Sequence, residues 1–131
     1  MTGKKVLVVD DEIHIIHVVA IKLRNNGYEV ISAENGEEAY NQTCEQNPDI
    51  IVTDYQMPIM TGLELIQKLR SNKQFKDIPV IMLTARGFAV ESELQKDLCI
   101  SEFLSKPFSP KELLRNIEDI LYRQAVISQT Q

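Results

Sequence analysis

Three segments of this chain are apolar without interruption: Val6-Leu7-Val8-Val9, Ile50-Ile51-Val52 and Val80-Ile81-Met82-Leu83. A strand that alternates apolar and polar residues buries one face, whereas a strand apolar at every position is buried on both, as in parallel sheets covered by helices on each side. With two weaker segments the runs become five: Val6–Asp10, Tyr28–Ala33, Ile50–Asp54, Val80–Thr84 and Glu102–Ser105. Segments of helical period lie between and after them, over about 12–25, 36–46, 62–71, 88–98 and 110–123. This alternation predicts an α/β fold, a three-layer sandwich of five parallel strands and five helices. Gly27 suits a left-handed residue after the first helix, Thr61-x-x-Glu64 is a capping box, and Pro110 fits a first helical turn. No repeat or internal linker interrupts the pattern, so one domain over 1–125 is expected, with a frayed tail over 126–131.

The net charge of −5 over 131 residues argues against broad electrostatic binding to nucleic acid or anionic lipid. No apolar stretch approaches the roughly 20 residues of a membrane span, and the N-terminus has no signal-peptide pattern. A cytoplasmic protein is expected, with Cys44 and Cys99 as reduced thiols, since they stand far apart without CxxC spacing.

The first run ends in Asp10-Asp11-Glu12 and the third in Asp54, and in open α/β sheets function gathers at the carboxyl ends of strands. Asp10 or Asp11 could instead cap the first helix, and Asp54 could be a turn residue before Pro58. One cap does not require three acids, however. Two carboxylates ~4 Å apart repel by roughly 4 kcal/mol at an effective dielectric near 20. Such a pocket must protonate, stay wide and wet, or hold a cation, and oxygen-only ligands favour Mg²⁺ over zinc. Thr84, ending the fourth run, and Lys106, following the fifth, point at the same rim. Acids, metal, hydroxyl and lysine together suit phosphoryl transfer, in which an aspartate can itself be the acceptor.

The segments Val8-Val9-Asp10-Asp11-Glu12, Asp54-Tyr55-Gln56-Met57-Pro58-Ile59-Met60-Thr61-Gly62, Leu83-Thr84-Ala85 and Lys106-Pro107-Phe108, in this order and spacing, resemble the receiver domain of two-component response regulators. The resemblance runs from about Lys4 to Tyr122 and implies a flavodoxin-like sheet of order 2-1-3-4-5. It implies a phosphorelay protein, not an enzyme beyond its own phosphorylation and dephosphorylation, with a histidine kinase or histidine phosphotransfer protein as partner. Asp54 is then the phosphoacceptor, and Asp10, Asp11, Asp54 and the backbone carbonyl of Gln56 hold Mg²⁺. Lys106, Thr84 and Ala85 bind the phosphoryl oxygens, Thr84 and Phe103 form the switch, and the Lys106–Pro107 peptide is cis.

Cys99 and Ile100 stand where this family usually has Gly-Ala, and Glu93 and Lys96 fall at positions usually apolar, with Leu94 and Leu98 carrying the apolar character. An irregular or register-shifted fourth helix is expected. Thr61 replaces the usual Asp and caps equally well, while Gln56 and Arg86 flank the route of attacking water. No output domain follows the last helix, so the expectation is a stand-alone regulator or a receiver from a longer chain.

On the first helix, Ile15, Val18, Val19 and Leu23 have core spacing, and Ile13, Ile16 and Ala20 form a second face. That second face, with Pro107 and Phe108, is expected to dock the phosphodonor. His14 and His17 lack a third nitrogen or sulfur ligand and read as solvated surface. Among rivals, an aspartate-nucleophile phosphatase needs an Asp-x-Asp pattern, and a flavin or nucleotide module needs Gly, Ser or Thr after the first strand. A receiver-like scaffold that is never phosphorylated would lack residues that are all present here.

Overall fold

The computed structural model describes residues 3–84 and 96–130. Its strands are β1 (Lys5–Val9), β2 (Glu29–Ala33), β3 (Ile50–Asp54), β4 (Val80–Thr84) and β5 (Glu102–Ser105). The helices are α1 (Ile13–Arg24), α2 (Gly36–Gln46), α3 (Gly62–Arg70) and the C-terminal α4 (Pro110–Thr130). All strand pairings are parallel, in the order β2-β1-β3-β4-β5. The helix expected over 88–98, with Glu93 and Leu94, lies outside the described residues except for 96–98, which are helical.

The unbroken apolar runs divide between two cores, as the two-residue period of a strand requires. Val6, Val8, Ile50, Val52, Ile81 and Leu83 face α1 and α4, and Leu7, Val9, Ile51, Val80 and Met82 pack with Leu65, Ile66 and Leu69 of α3. Burial on both faces leaves the carboxyl ends of β1 and β3 as the places where these strands meet polar groups. There Asp10 and Asp54 begin.

Several terminators act as expected. Gly27 has φ of 90°, and Thr61 and Glu64 exchange both bonds of a capping box opening α3. Cys99 keeps a left-handed backbone, φ 53°, without being glycine. Its neighbourhood is held by Arg70, whose guanidinium donates to the carbonyl oxygens of Leu98, at 2.7 Å, and Cys99, at 3.2 Å. Arg70 also donates to the carbonyls of Phe75 and Lys76.

Two expectations need correction, and the rival reading of the acids as helix caps falls with them. Neither Asp10 nor Asp11 caps α1: Glu12 is the N-cap, its side chain makes no cap bond, and Asp10 Oδ1 instead accepts the Glu12 N–H at 2.9 Å. The chain beyond 125 is not a frayed tail but the continuation of α4 to Thr130. The phase of α1 also differs, since Ile16, Val19, Ala20 and Leu23 are buried while Ile13, Val18 and Ile21 are exposed. Ile16 and Ala20 therefore belong to the core and not to a docking face. Ile15, Val18, Val19 and Leu23 follow i, i+3, i+4, i+8 and Ile16, Val19, Ala20 and Leu23 follow i, i+3, i+4, i+7, sharing Val19 and Leu23, so apolar spacing alone left the rotation of α1 open.

Substitutions at 16 and 18 separate the two phases. Ile16, 6% exposed, has no room for a charge, and Ile16→Glu should cost about 3 kcal/mol or more in urea unfolding. Val18, 51% exposed, should tolerate Val18→Glu within about 0.5 kcal/mol.

Candidate functional site

Parallel register brings the acids together. Val9 pairs with Thr53, so the next residues along, Asp10 and Asp54, emerge side by side, and Asp54 pairs in turn with Leu83 beside Thr84. Asp10, Asp54 and Thr84 are buried. Lys106 enters from the end of β5, tied to β4 by its N–H to the Thr84 carbonyl at 2.8 Å. Its ammonium lies 2.8 Å from Asp10 Oδ2, 3.3 Å from Asp54 Oδ2 and 3.7 Å from Glu12 Oε1. Asp54 Oδ1 accepts the Tyr55 N–H at 2.9 Å. Asp11, Glu12, Asp54, Gln56 and Lys106 wall an open cleft of about 240 Å³.

The loop after β3 is pressed against this site. Gly62 donates to the Tyr55 carbonyl at 2.8 Å, and any side chain at 62 would run into the backbone carbonyl of Asp54. Here glycine is required by close approach and not by an unusual φ. Thr84 donates its hydroxyl to the Leu104 carbonyl at 3.4 Å. Phe103 is half-buried, packed on the α3 side of the sheet. The Lys106–Pro107 peptide is cis. Ala85 and Arg86 lie outside the described residues.

A second, apolar groove of about 560 Å³ adjoins the cleft, lined by Glu12, His14, Ile15, Val18, Val19, Lys106, Pro107, Phe108 and Pro110. Pro107 and Phe108 both line this groove. The partners on α1 are Ile15 and Val18, while Ile13 is exposed but not part of the groove wall. His14 and His17 are exposed, as expected of solvated residues. Glu12, a wall of both cavities, was read from the sequence only as part of the acidic triplet.

Residues 6–118 match the family described as the response regulator receiver domain. The chain belongs to that family. It is 37% identical over 123 residues to the phosphate regulon transcriptional regulatory protein PhoB of Pseudomonas aeruginosa, covering 94% of this chain and 54% of that protein. It is 37% identical over 124 residues to the alkaline phosphatase synthesis transcriptional regulatory protein PhoP of Bacillus subtilis, covering 95% and 51%. The chain thus spans about half the length of these relatives. Among solved structures, the chemotaxis response regulator CheY4 of Vibrio cholerae matches with a TM-score of 0.83 at 36% identity, over 91% of this chain and 99% of that one. A receiver domain protein of Clostridium thermocellum matches at 0.84 and 26% identity, over 95% and 98%. Phosphorelay signalling is the role of this family, and the observed strand order is that of its members.

The receiver's acids fit a divalent cation on their own chemistry. Asp10, Asp11 and Glu12 each offer a carboxylate oxygen, all within 4.8 Å of one another, and oxygen donors of this kind suit a hard ion. Burial, and then the charge of Asp10, push the Asp54 carboxyl up to about 6 despite Lys106. Burial also raises Asp10, against its hydrogen bond from Lys106. Burial works against the Lys106 ammonium too, but the bond to Asp10 and the charges of Asp10 and Asp54 prevail, and its pKa rises. The lysine alone does not neutralise the pocket.

A carboxyl whose pKa is higher folded than unfolded binds its proton more tightly in the native state. Its contribution to stability is then greatest below the unfolded value of 3.8 and is lost as pH rises to about 6. Without divalent cation, the stability of Asp54→Asn relative to wild type should grow from near zero at about pH 4 to on the order of 2–3 kcal/mol at about pH 7. Denaturant unfolding across that range checks it, and a difference independent of pH would contradict the assigned environment of Asp54.

Proposed function

We propose that the chain accepts a phosphoryl group on Asp54 from a phosphohistidine protein, with Mg²⁺, and that the new charge resets the surface around Thr84 and Phe103. The observation supporting this most strongly is the pair of buried aspartates from neighbouring strands, Asp10 and Asp54, sharing Lys106 at the carboxyl edge of the sheet. Asp10, Asp11, Asp54 and the Gln56 carbonyl would hold the cation. It would supply positive charge for the anionic acceptor and the incoming phosphoryl oxygens.

The chain's own residues do the remaining work. An Asp54 oxygen attacks phosphorus as the phosphorus–nitrogen bond of the donor breaks, its electron pair staying on the imidazole nitrogen. The Tyr55 N–H fixes the carboxylate's other oxygen and so its direction. Lys106 already lies 3.3 Å from Asp54 and can follow the phosphoryl oxygens with a small displacement. Thr84, whose hydroxyl goes to the Leu104 carbonyl at a long 3.4 Å, has a weak bond to give up for a phosphoryl oxygen. Ala85 is proposed to donate its backbone N–H there. Departure of Thr84 from Leu104, one residue after Phe103, would link the phosphoryl group to the switch aromatic.

The groove beside the site suits the donor's helices. Ile15, Val18, Pro107 and Phe108 give it an apolar wall next to Lys106. The protein works in the cytoplasm on this reading, and no helix among the described residues is long and apolar enough to cross a membrane.

Intact mass after incubation with a small phosphodonor should show one added phosphoryl group in the presence of Mg²⁺, none without Mg²⁺, and none in Asp54→Ala. Lys106→Ala should react about tenfold or more slowly, as for loss of a charged group that stabilises developing charge. No gain in the wild type with fresh donor and excess Mg²⁺ would overturn the proposal. For the groove, Phe108→Ala and Val18→Glu should slow phosphotransfer from the cognate histidine protein about tenfold while leaving small-donor rates unchanged. Equal slowing of both routes would remove the groove as the docking face.

A further inference from the structure

Glu12 occupies the N-cap of α1 yet makes no cap hydrogen bond, so its carboxylate is not committed to the helix. Its two oxygens turn opposite ways: Oε1 lies 3.7 Å from Lys106 and Oε2 lies 3.4 Å from His14. The side chain is 48% exposed, and it walls both the acidic cleft and the apolar groove. It is therefore a charge at the mouth of the cleft that holds Asp54. We propose that Glu12 acts as a charge filter on phosphodonors, disfavouring dianionic donors relative to monoanionic ones. The inference rests on Asp54 being the acceptor.

Asp10, Asp11, Glu12 and Asp54 supply four carboxylates, and Lys106 with one divalent cation offsets three of them. Among the described residues the mouth keeps one net negative charge, and of the three carboxylates that the lysine meets Glu12 stands at the longest distance. A half-exposed charge acts through a high effective dielectric, so its effect on an anion several ångströms away is modest, screened by salt and proportional to the charge of the anion. Proportionality makes this a selectivity device. A donor with two negative charges is slowed by the square of the factor that slows a donor with one.

The test compares acetyl phosphate, a dianion near neutral pH, with phosphoramidate, a monoanion, at saturating Mg²⁺ so that cation affinity does not enter. Initial rates of Asp54 phosphorylation are read by intact mass in wild type, Glu12→Gln, Glu12→Asp and Asp54→Ala. Glu12→Gln should speed acetyl phosphate about three- to tenfold and phosphoramidate about two- to threefold, the gap closing at about 0.5 M salt. Glu12→Asp, which keeps the charge, should restore the wild-type donor ratio. Equal changes with both donors, no change with either, or a Glu12→Asp ratio matching Glu12→Gln would overturn the charge filter while leaving Asp54 as acceptor intact. If wild type gains no phosphoryl group from either donor, the acceptor reading itself falls and the filter with it.

Discussion

Two buried carboxylates on adjacent strands repel, and the Lys106 ammonium, 2.8 Å from one and 3.3 Å from the other, is what lets Asp10 and Asp54 share one end of the sheet. The lysine is itself placed by the sheet, through its N–H on the Thr84 carbonyl. Truncating Lys106 leaves two buried carboxylates without a counter-charge, which is costlier than the pair is worth, whereas loss of either aspartate leaves the other still paired with the lysine. The compensation is also incomplete, since Asp54 is held near a pKa of 6 even with the lysine present. A site left short of positive charge favours a divalent cation. Once that cation is bound, the lysine is less tightly required by the carboxylates and more available to an anion.

The rest of the fold holds this arrangement in place. Apolar residues on both faces of β1 and β3 fix the strand ends to within one register, because a slip of one residue would exchange the two cores. The loop after β3 is clamped by the Gly62 contact with the Asp54 backbone and by the Thr61–Glu64 box. On the opposite edge Arg70 gathers the carbonyls of Leu98 and Cys99, so the approach to β5 is defined without the glycine usual at that position. β5 in turn delivers Phe103 and Lys106.

What could be read from the sequence depended on how many residues each feature needs. The strands were legible because runs apolar at every position must be buried on both faces, and β3, β4 and β5 begin and end where they were expected; their order across the sheet came from the resemblance. The site was legible because Asp10, Asp54, Thr84 and Lys106 all sit at strand ends, where strand boundaries alone place them. Rotation of α1 was not legible: its apolar residues exceed one face, and only packing against the sheet and α4 selects Ile16 and Ala20 for burial over Val18. Glu12 was read only as part of the acidic triplet, because its turn toward Lys106 and His14 is a tertiary effect. The length of α4 was missed for a similar reason, since a polar, aliphatic mixture such as Gln124 to Ile127 has no strong stop signal and the helix runs past the core.

The central claim is that Asp54 is a buried carboxyl short of positive charge. Carbon-13 NMR of side-chain carboxyls in aspartate-labelled protein, assigned with Asp54→Asn and titrated from about pH 3 to 9, measures this directly. The account predicts an Asp54 midpoint near 6 without divalent cation, moving below the ordinary carboxylate range when Mg²⁺ is added. A midpoint near 3.8 that Mg²⁺ does not move would contradict it.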